Sequence, residues 1–461
     1  MAIIQAYTLP HPPLAVHGVG CGKENGISKT LEAFDEVAVE ISKFAPETII
    51  YITPHNVLYA DYFHISPGTH AYGDFSRFGD SKTKLEAQYD EALAKEISEI
   101  AGQDGIHSGG LGEKDPKLDH GVLVPMSFIN KRYTDYKTIR ISQSGMEPSV
   151  HYRFGQAIAE AASRTGRKTV LIASSDLSHK LNNDGPYGFA PEGPEFDDAV
   201  VKALNNGDFL SLLMIPDALR EGAAECGYNS LMILAGCFDR QSVESTLLSY
   251  EGTFGVGYAV AKFNPVGRSE DRNILEQYEE ISLLGVQKSR VIEDPYRALA
   301  RSSLEHTVVN GGKLPFPDGL PDELLSQKAG VFVSLHKNGR LRGCVGTIAP
   351  TTANVAREII QNAVSAGLSD TRFEPVSGAE LPYLTYKVDV LSAPEKISGP
   401  GELDVKRYGV IVTSGYKRGL LLPNLDGIDT VAEQIAIARR KAGISENAQV
   451  SLERFEVIRH D

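Results

Sequence analysis

Cysteine is scarce in this chain and never paired at short spacing. The four cysteines, Cys21, Cys226, Cys237 and Cys344, form no C-x-x-C pair. That excludes a disulfide framework and a zinc knuckle, and a reducing cytoplasm is the expected setting. No apolar run reaches the roughly 18 residues that suggest a membrane span. The opening MAIIQAYTLPHPP lacks the charged start and apolar centre of a signal peptide, so none is expected there. Long basic runs are also missing, and the formal net charge is -14. Nucleic acid and anionic membranes are therefore not expected as partners. There is no internal repeat and no low-complexity tract. Ser174 and Ser175 lack a G-x-S-x-G elbow, which argues against a serine hydrolase.

What is present is an ordinary globular composition. The 461 residues are 42% hydrophobic and 23% charged, enough for two or three domains. Residues 1–265 alternate strand-like with helix-like stretches. Strands are expected at Ala2–Tyr7, Thr48–Thr53, Thr138–Ile141, Thr169–Ala173 and Ser249–Lys262. Helices are expected at Ile27–Ser42, Leu85–Ala101, Pro148–Thr165 and Gly227–Phe238. The alternation predicts a three-layer α/β domain around a central mixed sheet. Residues 266–292 read as a linker with a connecting helix, and residues 293–461 as a smaller α+β domain. There, Asn338-Gly339 between Gly330–His336 and Arg340–Val345 predicts a β-hairpin. A helix over Thr351–Leu368 and half-buried strands at Leu384–Leu391 and Ser451–Ile458 complete it.

Three separated fragments carry a His-His-carboxylate set: His11 in TLPHPP, His55 in IIYITPH and Glu225 in AAECGYN. Two imidazoles and one carboxylate can hold a ferrous ion on one face and leave the other positions open. Each lies where a strand ends or a helix begins, as sites in open α/β sheets do. Local alternatives stand beside this reading. A His in a Pro-rich loop also serves as a surface or capping residue, and a Glu before a helix complements its dipole. His179 in SSDLSH can take a proton from a substrate hydroxyl and return it. Asp176 would orient it, unless this Ser/Asp cluster only caps a turn. His120 in LDHG can hydrogen-bond substrate or oxygen, or be a loop residue. The other eight histidines read as surface or structural, though His17 and His107 could line a mouth.

PHPP near the start, TPHN after a strand, LDHG, SSDLSH and a late Glu before a helix resemble class III extradiol ring-cleaving dioxygenases of the LigB type. Memo proteins share that fold. The resemblance implies that His11, His55 and Glu225 are iron ligands, His179 the acid–base residue and His120 a second active-site histidine. Memo proteins replace the carboxylate ligand with Cys. Cys226 adjoins Glu225, so a one-residue alternative exists, and Glu225 is favoured because a carboxylate suits ferrous iron. LRGCVG (Leu341–Gly346), SDTRFEPV (Ser369–Val376) and GLLLPN (Gly419–Asn424) resemble AMMECR1 domains. That resemblance brings no activity with it. Cys344 beside Arg342 is either a nucleophile or a small buried hairpin residue. Taken together, the resemblances imply an Fe(II)-dependent oxygenase acting with O2 on a catechol-like or other small aromatic, such as an indole- or phenol-type acid. The alternatives are a zinc hydrolase with the same His2Glu set, or a non-catalytic Memo-like binding protein. A radical-SAM partner protein and a homo-oligomer are further expectations.

Overall fold

The computed structural model describes residues 3–113, 116–425 and 427–461. It divides into two compact units, Met1–Glu279 and Glu280–Asp461. Ala2, expected at the start of the first strand, lies outside the described residues.

The first unit is built on six strands: β1 (Ile3–Leu9), β2 (Thr48–Thr53), β3 (Lys137–Ser142), β4 (Thr169–Ser174), β5 (Gln241–Glu251) and β6 (Tyr258–Arg268). They lie in the order β3-β2-β4-β1-β6-β5. The first four are mutually parallel, and β6 runs antiparallel to both β1 and β5. This is the mixed sheet expected. Period two along each strand sends alternate side chains to opposite faces. Ile50, Ile52, Leu171 and Ala173 pack on one face against α2 (Glu91–Gln103), α4 (Pro148–Thr165), α5 (Glu192–Asn206) and α6 (Tyr228–Gly236). Ile49, Tyr51, Val170 and Ile172 pack on the other against α1 (Ser28–Phe44) and α3 (His120–Ile129). Both faces are covered, so the parallel strands read as continuous apolar runs.

Two expectations for this unit are corrected. The helix expected over Leu85–Ala101 is two elements. Residues 85–88 end the strand Asp80–Gln88, which pairs with His70–Phe75. The helix begins at Glu91 because the Asp90 carboxylate accepts from Leu93 N. The closing strand expected at Ser249–Lys262 is the β5–β6 hairpin. Gly252, Gly255 and Gly257 interrupt the alternation, and Gly255 takes φ +79° in the turn.

The second unit is α+β. Val331–Lys337, Arg340–Gly346, Leu384–Leu391 and Val457–His460 form one antiparallel sheet, covered by helices Pro295–Asn310 and Val355–Leu368. The Asn-Gly hairpin stands as read, with both turn residues at positive φ. The helix expected from Thr351 starts at Val355, where the Asn354 side chain caps it. The strand expected over Ser451–Ile458 splits at Glu456. Its first half joins a second four-stranded sheet with Gly409–Ser414, and its second half returns to the first sheet. The expected linker region holds helix Ile274–Val291, whose first turn packs into the core of the first unit. Among the described residues no helix is long and apolar enough to cross a membrane.

Candidate metal centre

Three adjacent parallel strands, β2, β4 and β1, end at the same edge of the sheet, and the chain just beyond each supplies the site. β1 runs through Pro10 to His11. β2 runs through Pro54 to His55. β4 runs into Ser175, Asp176 and, one turn later, His179. His11 Nε2 and His55 Nε2 face each other at 2.9 Å, and Cys226 Sγ lies 3.5 Å from His11 Nε2. One donor atom each from His11, His55 and Cys226 falls within 4.8 Å of the others, the one such cluster among the described residues.

Glu225, expected as the third donor, is not in this cluster. Its carboxylate turns away and accepts from Tyr228 N at 2.7 Å, at the start of α6. It is the helix-terminus partner that its position also allowed. The following residue faces inward because Gly227 presses its backbone against Ser175, where an added Cβ would lie 2.1 Å from Ser175 Oγ. Gln143, at the end of β3, holds this loop by donating from one Nε2 to Cys226 O and Ser230 Oγ.

The hydrogen bonds define which nitrogens are free. The Ser174 hydroxyl donates to Gly121 O at 2.6 Å, so its oxygen accepts from His11 Nδ1–H at 2.8 Å. His11 Nε2 therefore carries its lone pair toward the cluster, as a metal-binding imidazole must. His179 Nδ1 donates to Ala224 O at 2.7 Å, which leaves its Nε2 as the basic nitrogen. Ala224 presents that carbonyl from a left-handed conformation, φ 52°, at the end of the short helix Asp217–Ala223. His120 opens α3 and stacks on His55, ring centroids 4.1 Å apart. The structure thus brings His11, His55, His120 and His179 into one neighbourhood.

Comparison with known proteins bears on this arrangement. Residues 5–261 match the family described as the catalytic LigB subunit of aromatic ring-opening dioxygenase, and residues 297–460 match AMMECR1. The chain belongs to the LigB family. Its LigB unit is followed by an AMMECR1 unit. A protein of Clostridium acetobutylicum is 40% identical over 100% of this chain and 99% of its own length. A Thermotoga maritima protein is 48% identical over 36% of this chain and 98% of its own. A solved structure from Pyrococcus horikoshii, described as uncharacterised, is 32% identical over 36% of this chain and 88% of its own, with a TM-score of 0.33.

Electrostatics in the LigB unit keep the imidazoles neutral. Burial, then the neighbouring His55, His120 and His179, lowers the His11 pKa well below its usual value. His55 is exposed toward a cavity, yet partial enclosure of its ring and the nearby His120 bring it to about 4. Burial also lowers His120 and His179. The Cys226 thiol is pushed well up by burial and by Asp176 and Glu225. Burial raises Asp176 to about 7, although it accepts from His11 N at 2.7 Å. Its second oxygen lies 3.6 Å from His11 Nε2. Asp176 therefore braces His11 rather than His179, a role its place in SSDLSH does not reveal. The contact of Ser174 with His11 and the role of Gln143 are likewise not evident from the sequence. Both are buried polar residues closing a parallel strand, which is the signal that marks them. Of the histidines read as surface or structural, His64 and His151 are fully buried in hydrogen-bonded positions.

In the AMMECR1 unit, Cys344 accepts from Ser334 Oγ, and burial raises its pKa. Arg342 is paired with Glu380 through two contacts, 2.9 and 3.1 Å. Neither geometry activates the thiol.

Proposed function

We propose that the LigB unit is a mononuclear metal oxygenase for a small hydroxylated aromatic. His11, His55 and Cys226 would hold a ferrous ion, His179 would be the proton-transfer residue and His120 a substrate contact. The observation that carries this reading is the approach of two imidazole nitrogens and one thiol sulfur to within 4.8 Å of one another. That donor set fits a divalent first-row ion. His11 is fixed in the binding tautomer, and a cation at the cluster would favour the thiolate, whose ionisation its surroundings otherwise oppose. Such an ion supplies Lewis acidity and a template for aromatic and O2.

The protein's own part is proton handling and orientation. His179 Nε2 accepts the proton of a substrate hydroxyl while Ala224 O holds Nδ1–H and stabilises the resulting imidazolium. His120, stacked on His55, lines the cavity beside the cluster. The burial that depresses these pKa values keeps both rings neutral and ready at neutral pH.

The test is O2 uptake by anaerobically purified, Fe(II)-loaded protein against a panel of catechols and indole acids, beside Cys226→Ala. The expected result is substrate-dependent uptake that disappears in the variant. A thiolate donor also suits zinc, which favours hydrolysis as the second reading. Bound zinc, no O2 uptake and turnover of an ester or amide panel would establish that reading instead.

A further inference from the structure

The sheet face beneath α1 is apolar except at one corner, away from the metal centre. There Tyr7 on β1, Lys262 on β6 and Thr246 on β5 are neighbours across three strands, and Asn264 pairs with Glu244 further along. The end of α1 lies over them. Together they enclose a cavity of about 460 Å3, with Gln5 at its floor and Lys43 and Phe44 of α1 on one wall. Its volume is in the range of small-ligand sites. Gln5 and His11 are six residues apart along near-extended chain, roughly 20 Å, so this cavity is separate from the metal cluster.

Most polar groups here are already engaged. Glu40 accepts from Tyr7 OH at 3.0 Å and from Lys262 Nζ at 2.5 Å, and Lys262 also reaches Glu36 at 3.2 Å. Three groups are not. The Tyr7 hydroxyl gives its proton to Glu40, so the hydrogen bond that Gln5 makes to that hydroxyl comes from its amide nitrogen. Gln5 Oε1 is left over. The residue is 2% exposed, and this acceptor has no partner among the described residues. A buried acceptor without a donor is unfavourable and calls for a ligand or an ordered water. Lys43, at the rim, makes no ion pair or hydrogen bond among the described residues. Glu244 meets only the Asn264 amide among them, at 3.4 Å.

An acceptor and a carboxylate, faced by a free ammonium, are complementary to a ligand that carries both charges. A primary ammonium has three donors, enough for Gln5 Oε1 and Glu244 together. A carboxylate on the same ligand suits Lys43. Phe44 offers apolar surface to the remainder. We infer that this cavity is a second ligand site of the LigB unit and takes a free α-amino acid, its ammonium on Gln5 and Glu244, its carboxylate on Lys43 and its side chain against Phe44. The site is independent of what the metal centre does, because no residue of that centre lines it.

The test screens the proteinogenic L-amino acids against the full-length protein by thermal shift and titrates those that stabilise it by calorimetry. At least one should bind with a Kd of about 1 mM or tighter. Its decarboxylated amine and its deaminated acid (3-methylbutylamine and 4-methylpentanoate, where the ligand is leucine) should each bind about tenfold more weakly or worse. Lys43→Met and Glu244→Gln, both surface changes, should each weaken binding by about tenfold. Gln5→Leu should abolish it, and the two surface variants decide the matter should that change unfold the chain. Protein stripped of metal by a chelator should bind the amino acid as well as untreated protein does. The inference is overturned if no amino acid binds, which would leave a merely hydrated pocket. It is equally overturned if the amine or acid alone binds as tightly, if binding survives both surface changes, or if it is lost with the metal.

Discussion

At the scale of single residues, the site turns on the difference between two neighbours, Glu225 and Cys226. Cys226→Ala should lose stoichiometric iron, measured by elemental analysis after gel filtration. Glu225→Ala should keep the metal and lose about 1 kcal/mol of stability, the usual worth of a helix-terminal acceptor. Retention of iron by the first and loss by the second would reverse the assignment. Ser174→Ala should weaken metal affinity about 10- to 100-fold, because it frees the His11 ring from its binding tautomer. The pKa shifts also set a sign for pH dependence. His55 is already unprotonated down to about pH 4, while Cys226 is a thiol at neutral pH. Metal uptake between pH 7 and 8.5 should therefore release one proton, so log affinity rises by about one per pH unit. Below pH 7 the carboxyl of Asp176, at about 7, can add a second proton. A chelator-competition series would measure this slope, and Cys226→Ser should flatten it above pH 7.

Elements, not residues, explain why the sequence was legible in one place and not another. The parallel strands were readable because each is buried on both faces and carries an unbroken apolar run, as TIIYIT and TVLIAS do. The placing of His11, His55 and His179 at one edge of the sheet was legible because each follows such a strand. The choice between Glu225 and Cys226 was not readable, since either can follow a short helix. The decision is made by Gly227 against Ser175, a contact between chain positions far apart. Gly227→Ala should push the Cys226 loop off Ser175, costing about 1–3 kcal/mol and the bound metal together. The hairpin of His70–Phe75 and Asp80–Gln88 is illegible for a related reason. Its strand Asp80–Gln88 is exposed over most of its length and carries little apolar signal. Another such case is Asp197 on α5. Its carboxylate accepts from Ser178 N at 2.8 Å and from Tyr250 OH at 2.7 Å, beside Gly257. Asp197→Asn should disturb the turn that carries His179, lowering turnover with little effect on metal content.

On the scale of the whole molecule, each unit has its own apolar core, and every residue of the metal cluster belongs to the first. The seam at Glu279 falls inside helix Ile274–Val291, a boundary that composition cannot mark because the helix is continuous across it. A chain ending at residue 292 keeps Ile274 and Leu275 packed in the first core and should bind metal with wild-type stoichiometry. Ending it at residue 268 should remove that packing and lower the melting temperature, which a circular dichroism melt would detect.

The three residues of the cluster stand at positions 11, 55 and 226 of the chain. No two of them are near enough in sequence to chelate an ion before the sheet has formed. A nascent chain therefore has no centre to fill until its first half has left the ribosome and closed two long loops. On the proposed reading metal loading would come last in maturation, and an ion binding only the finished fold would stabilise it rather than guide its assembly.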